Sequence, residues 1–144
     1  PDDAIDTIAD VLPGDDFDND GSSNAEEQDR STNPIAADSD GDGLLDGAET
    51  NTGTFVDAND TGTDPNSMDS DGDTINDSDE ISGTGGFTSD PNKADTDGDG
   101  YPDDAELADG TDPNDPDDFF DPFAGMEGLL VDFNSTEIYP LQYI

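Results

Sequence analysis

The sequence predicts a chain with little regular secondary structure: tandem loop repeats with short helical turns, held together by cations in place of an apolar core. Three observations carry that reading. Apolar residues make up 28% of the 144 residues, against roughly 45–50% in an ordinary soluble domain. Asp and Glu number 41 against 2 Lys and Arg, a formal net charge of -39. The acids also fall in a repeating phase, whereas a disordered acidic chain or a solvated halophile-like surface would scatter or block them.

The same composition closes off several functions. A chain this acidic cannot neutralise phosphates, so it does not suit DNA or RNA, and an anionic membrane surface repels it. No apolar run approaches the length of a membrane-spanning helix. Cys and His are both absent, which removes disulfides, thiolate metal sites, the usual catalytic triads and most zinc sites. Only Arg30 and Lys93 could stabilise an anionic transition state, so the chain is not expected to be an enzyme. Asp60-Thr61-Gly62 is similar to an aspartic-protease triplet, but it has one copy and no apolar strand leading into it.

Taken in order, residues 1–13 form a short N-terminal helix or cap. Ile5, Ile8, Ala9 and Leu12 lie at helical spacing, and Pro13-Gly14 ends it. Residues 14–118 form the array. Its clearest unit runs from Asp95, with oxygen-bearing side chains at Asp95, Asp97, Asp99, Asp103 and Glu106, positions 1, 3, 5, 9 and 12 of a twelve-residue frame, and Gly100 at position 6. The frame recurs at Asp38, Asp40, Asp42, Asp46 and Glu49. It recurs at Asp69, Asp71, Asp73, Asp77 and Glu80, where Thr74 replaces the Gly, and at Asp16, Asp18, Asp20, Asn24 and Glu27. A Thr/Ser-Asn/Asp-Pro turn is phased with it: Thr32-Asn33-Pro34, Thr63-Asp64-Pro65 and Ser89-Asp90-Pro91 each precede a loop. Thr111-Asp112-Pro113 points at Asp117, where no fifth loop begins. Two motifs recurring in phase are an internal repeat. Extra residues around 50–62 and 81–87 are insertions into the basic unit.

Residues 119–144 turn apolar. Leu129, Val131 and Phe133 alternate, as do Tyr139, Leu141 and Tyr143, so the segment is read either as a small β element or as a terminal core cluster. Either way it is expected to serve docking or assembly, against a neighbouring protein domain or a second copy.

The frame has the chemistry of a calcium loop. Calcium takes six to eight oxygens at roughly 2.3–2.6 Å in adaptable geometry. Short acids at positions 1, 3 and 5 suit a tight curl, position 9 reaches the ion directly or through water, and the longer Glu at position 12 closes the shell. Position 7 offers only its backbone carbonyl, which leaves its side chain free: Ser22, Leu44, Ile75 and Tyr101 stand there. Two carboxylates about 5 Å apart repel by roughly 0.8 kcal/mol even in water, so a divalent ion converts repulsion into folding energy. At least four ions are expected. Magnesium, which demands tighter octahedral geometry, is the competitor. Thr74 marks the third loop as strained, because position 6 needs a sharp turn.

The Asp-rich loops alternating with Thr-Asn/Asp-Pro turns resemble the thrombospondin type 3 repeats, bacterial versions above all, over about residues 14–118. Residues 38–49 and 95–106 are the nearest matches. The resemblance implies a chain wrapped around a row of calcium ions, in some members more than one per repeat. It further implies a secreted or cell-surface setting and a role as stiffened spacer, adhesion segment or filament component. The alternatives are a dockerin- or EF-hand-like calcium-dependent protein-binding module, or an acidic disordered region of a larger secreted enzyme. Position 8 (Ser23, Leu45, Asn76, Pro102) does not carry in every loop the apolar residue that a paired EF-hand needs, and Gly110 cuts short the helix a dockerin needs.

Overall fold

The computed structural model describes residues 14–118. The N-terminal helix expected over 1–13 and the apolar segment 119–144, with its two expected strands, lie outside the described residues. Between them, each of the four loops is closed by one bond. The N–H at position 9 donates to the carbonyl just before position 1: Asn24 to Asp15 (2.8 Å), Asp46 to Ala37 (3.1 Å), Asp77 to Met68 (3.0 Å) and Asp103 to Ala94 (3.2 Å). Inside that ring the position-1 carboxylate accepts the N–H of position 6, from Gly21, Gly43, Thr74 and Gly100. The turn requires a positive φ there. Thr74 adopts +88°, a cost for a β-branched residue that the three glycines avoid.

Short helices leave the loops at position 9: α1 (Asn24–Arg30), α2 (Asp77–Ser82) and α3 (Asp103–Asp109), with a 3-10 turn over Thr84–Gly86. Acidic first turns suit their N-terminal dipoles, and Ser23 and Glu26 form a capping box on α1. Each helix ends at a left-handed residue: Ser31, Gly83 and Gly110. α1 and α3 are seven residues long, nearly two turns. Repeat 2 has no helix, only a turn in which Ala48 N–H meets the Leu45 carbonyl at 2.8 Å. Thr50, Thr52 and Gly53 follow directly, and β-branched residues and Gly propagate a helix poorly. Its insertion instead folds back on itself: Asn51 N–H bonds the Thr63 carbonyl and Gly53 N–H the Gly62 carbonyl, both at 2.9 Å.

Neighbouring repeats are joined by polar staples. The Asn that follows the turn proline donates back to the previous repeat: Asn66 Nδ2 to the Arg30 carbonyl (3.1 Å), Asn92 to Thr61 (2.9 Å) and Asn114 to Thr88 (2.6 Å). Among the described residues no aliphatic or aromatic side chain is buried. The interior is made of carboxylates, hydroxyls and the rings of Pro65, Pro91 and Pro113. With no apolar core, the fold lacks the largest ordinary stabilising contribution. No helix among the described residues is long and apolar enough to cross a membrane.

Candidate metal centres

Within each loop the acids divide by hydrogen bonding. Position 1 is tied to backbone: Asp38, Asp69 and Asp95 each take the N–H of positions 4 and 6. Position 5 gives one oxygen to the N–H of position 7, as Asp42 does to Leu44 (2.7 Å) and Asp99 to Tyr101 (2.7 Å). Other oxygens are buried with no protein partner. They belong to Asp18, Asp40, Asp71 and Asp97 at position 3, Asp20 and Asp73 at position 5, and Glu27, Glu49, Glu80 and Glu106 at position 12. Buried polar atoms are nearly always paired, so this recurring set is where a hard cation fits. Asp16, Asp18 and Asp20 bring carboxylate oxygens within 4.8 Å of one another, as do Asp38, Asp40 and Asp42, and Asp69, Asp71 and Asp73.

A second kind of cluster spans two repeats. Asp20 and Glu27 of repeat 1 meet Asp46 of repeat 2, and Asp73 and Glu80 of repeat 3 meet Asp103 of repeat 4, again within 4.8 Å and all buried. Position 9 therefore faces the preceding repeat. What fixes it is a residue that sequence reasoning passed over. The position-2 hydroxyl donates to the position-9 carboxylate, Ser39 to Asp46 (2.6 Å), Ser70 to Asp77 (2.7 Å) and Thr96 to Asp103 (2.7 Å). Its own N–H reaches the other oxygen at 2.8 Å in all three. The same hydroxyl accepts the turn N–H of Asn33, Asp64 or Asp90, so one oxygen locks turn, loop and junction together. Repeat 1 has Phe17 and Asn24 at these two positions, and there Phe17 N–H donates to Asn24 Oδ1 at 3.2 Å. The pair was legible as a signal: hydroxyl and Asp occur together in three loops and are replaced together in the one with no loop frame before it.

Charge density follows from this packing. Burial, reinforced by the surrounding aspartates, pushes Glu27 and Glu106 up to about 7, Glu49 up to about 8 and Glu80 up to about 9. Burial also raises Asp71 and Asp77 to about 6. Below these values, and without a counter-ion, each group holds a proton that a divalent cation would displace. The position-7 residues Ser22, Leu44, Ile75 and Tyr101 meet the loop acids through their N–H groups, which leaves their carbonyls as the further donors named from sequence.

Junction packing differs at position 10. Ser78 Oγ donates to the Asp42 carbonyl at 2.5 Å, and Thr74 Oγ1 to Asp104 at 3.3 Å. At the first junction the residue is Gly47, and a Cβ there would sit 2.4 Å from the Asp20 carbonyl oxygen. Only glycine permits that approach.

The family model of the bacterial TSP3 repeat matches residues 38–54 and 95–116. Those stretches contain repeats 2 and 4, and repeats 1 and 3 share their loop-closing bonds. No curated protein and no solved structure matches the chain.

Proposed function

For a chain that carries bacterial thrombospondin type 3 repeats, we propose the role of a calcium-binding structural module: a calcium-stiffened spacer or adhesion segment of a secreted or cell-surface protein. One observation carries this reading. Buried carboxylate oxygens without partners recur at positions 3 and 12 in all four repeats, in a segment whose only buried apolar side chains, among the described residues, are proline rings. Position-12 glutamates exposed by only 0–2% are untenable as free anions and well suited to closing a calcium shell. Loop ions take positions 1, 3, 5 and 12 with the position-7 carbonyl. Junction ions take positions 5 and 12 with position 9 of the next repeat, so more than four ions are accommodated. Four alone would reduce the formal charge from -39 to about -31, which keeps the module soluble.

Calorimetric calcium titration of the full chain, reversed with EDTA and followed by circular dichroism, tests the proposal. Binding of at least four ions with a gain of order supports it. Heat and spectra unchanged by calcium sink it, and equal affinity for magnesium would redirect it. Assembly through residues 119–144 is a separate proposal. Light scattering in calcium, with and without that segment, decides it, and a full-length monomer at high concentration excludes self-association.

A further inference from the structure

Repeat 2 is the repeat without a helix, and that absence frees backbone carbonyls. Elsewhere the position-12 carbonyl is satisfied locally: Glu27 by Thr32 N–H (2.9 Å), Glu80 by Ser89 N–H (3.2 Å), and Glu106 by Gly110 and Thr111 N–H (2.8 and 3.0 Å). In repeat 2 the donor comes from the neighbouring repeat. Arg30, the last residue of α1, places Nη1 3.0 Å from the Asp46 carbonyl and 2.7 Å from the Glu49 carbonyl, and Nη2 2.5 Å from Ser22 Oγ. The side chain is half-buried. It is the chain's only arginine, and its planar fork suits several acceptors at once. The two residues it holds are the ones that close cation clusters on either side of the first junction. Asp46 completes the cluster with Asp20 and Glu27, and Glu49 closes loop 2 with an oxygen that has no protein partner.

We propose that Arg30 is a positioning residue for cation binding across the first junction, substituting in trans for the helix that repeat 2 lacks. The inference rests on the calcium reading. Arg30 directs its donors to neutral carbonyls and a hydroxyl, so it orients ligands without occupying them. Gly47 explains why the reach is needed. The backbones approach too closely for a position-10 side chain, which is what binds the other two junctions.

Residue-resolved NMR titration of the full chain with calcium tests this, with Gly21 and Gly43 amides reporting repeats 1 and 2 and Gly100 reporting repeat 4. Groups that orient metal ligands typically contribute 10–100-fold to affinity. Arg30→Ala and Arg30→Lys are both expected to weaken binding at Gly21 and Gly43 by about tenfold or more and to leave Gly100 unchanged, which also shows that the variant folds. Lys93→Ala, which removes the other cation from an exposed pair with Asp90, should change neither site. A tighter first junction in Arg30→Ala with an unaltered Arg30→Lys would make Arg30 a mere repelling charge and overturn the proposal. So would equal effects of Arg30→Ala and Lys93→Ala, or a uniform loss across all reporters. A wild-type chain whose amides ignore calcium would overturn the calcium reading itself, a different result from a responsive chain indifferent to Arg30.

Discussion

Repeats 1 and 4 run directly from helix to turn, whereas repeats 2 and 3 carry insertions, and the difference reaches the metal ligands. In the direct repeats the turn hydroxyl donates to the position-12 backbone carbonyl, Thr32 to Glu27 at 3.5 Å and Thr111 to Glu106 at 3.2 Å. Both carboxylate oxygens of those glutamates stay without a protein partner. In the inserted repeats the hydroxyl meets the carboxylate itself, Thr63 to Glu49 at 3.0 Å and Ser89 to Glu80 at 2.8 Å, which leaves one oxygen free. An insertion thus exchanges part of a cation's shell for an internal hydrogen bond. Burial still pushes Glu49 and Glu80 up to about 8 and 9 despite that bond, where Glu27 and Glu106 reach about 7.

Removing calcium should have the largest effect and separate the two classes. Each site filled at a hundred times its Kd contributes about 2.7 kcal/mol, so hydrogen-exchange protection across 14–118 should collapse in EDTA. Repeats 1 and 4 should open before 2 and 3, which keep a bonded, protonated Glu. Simultaneous loss would show that the insertion changes nothing.

Ligand deletion should rank the classes the same way. Glu106→Ala removes two free oxygens and is expected to weaken its site about a hundredfold, whereas Glu49→Ala removes one and should cost about tenfold. Equal losses by calorimetry would argue that both glutamates bind alike.

Acid should discriminate next. The ordinary Glu value is 4.5. Between that and the folded values the calcium-free fold holds protons that the unfolded chain has released. Stability without calcium therefore falls as pH rises through this window. Calcium expels the same protons, so affinity should weaken as pH falls, in repeat 3 below about 9, in repeat 2 below about 8 and in repeats 1 and 4 below about 7. Calorimetry in buffers of different ionisation enthalpy would count the protons released.

The smallest effect lies within the inserted class. Thr74→Gly relieves the positive φ but loses the bond to Asp104, for a net gain of about 1 kcal/mol. Thermal unfolding in saturating calcium would measure it.

Much of this was legible because the loop ligands are local. Oxygen-bearing residues at positions 1, 3, 5 and 12 must follow one another along the chain, and Thr74 was already conspicuous as the non-glycine at position 6. The junctions were not legible in the same way. Whether Asp46 serves its own loop or Glu27 depends on how repeats stack, and no spacing within one frame states that. The bonds that set the stacking come from Ser39, Ser70 and Thr96, and from Asn66, Asn92 and Asn114 after the turn prolines. These recur in phase, yet they look like ordinary loop residues until their partners are known. The missing helix of repeat 2 was written in Thr50, Thr52 and Gly53, but the reach of Arg30 to compensate for it was not.

The fold-back of residues 51–63 has a mechanical consequence. Its ends are pinched by two backbone bonds, Asn51 to Thr63 and Gly53 to Gly62, so tension along the array passes across the pinch and spares the loop. The peptide inside is slack held in reserve. Should a load part those two bonds, together with the ones that hold Thr61 to Ala48 and Thr63 to Glu49, the chain would lengthen by roughly 40 Å at about 3.4 Å per residue, while the flanking loops stayed closed on their ions. Repeat 2 would then act as a fuse in the tether, yielding length before the cation-bound units give way.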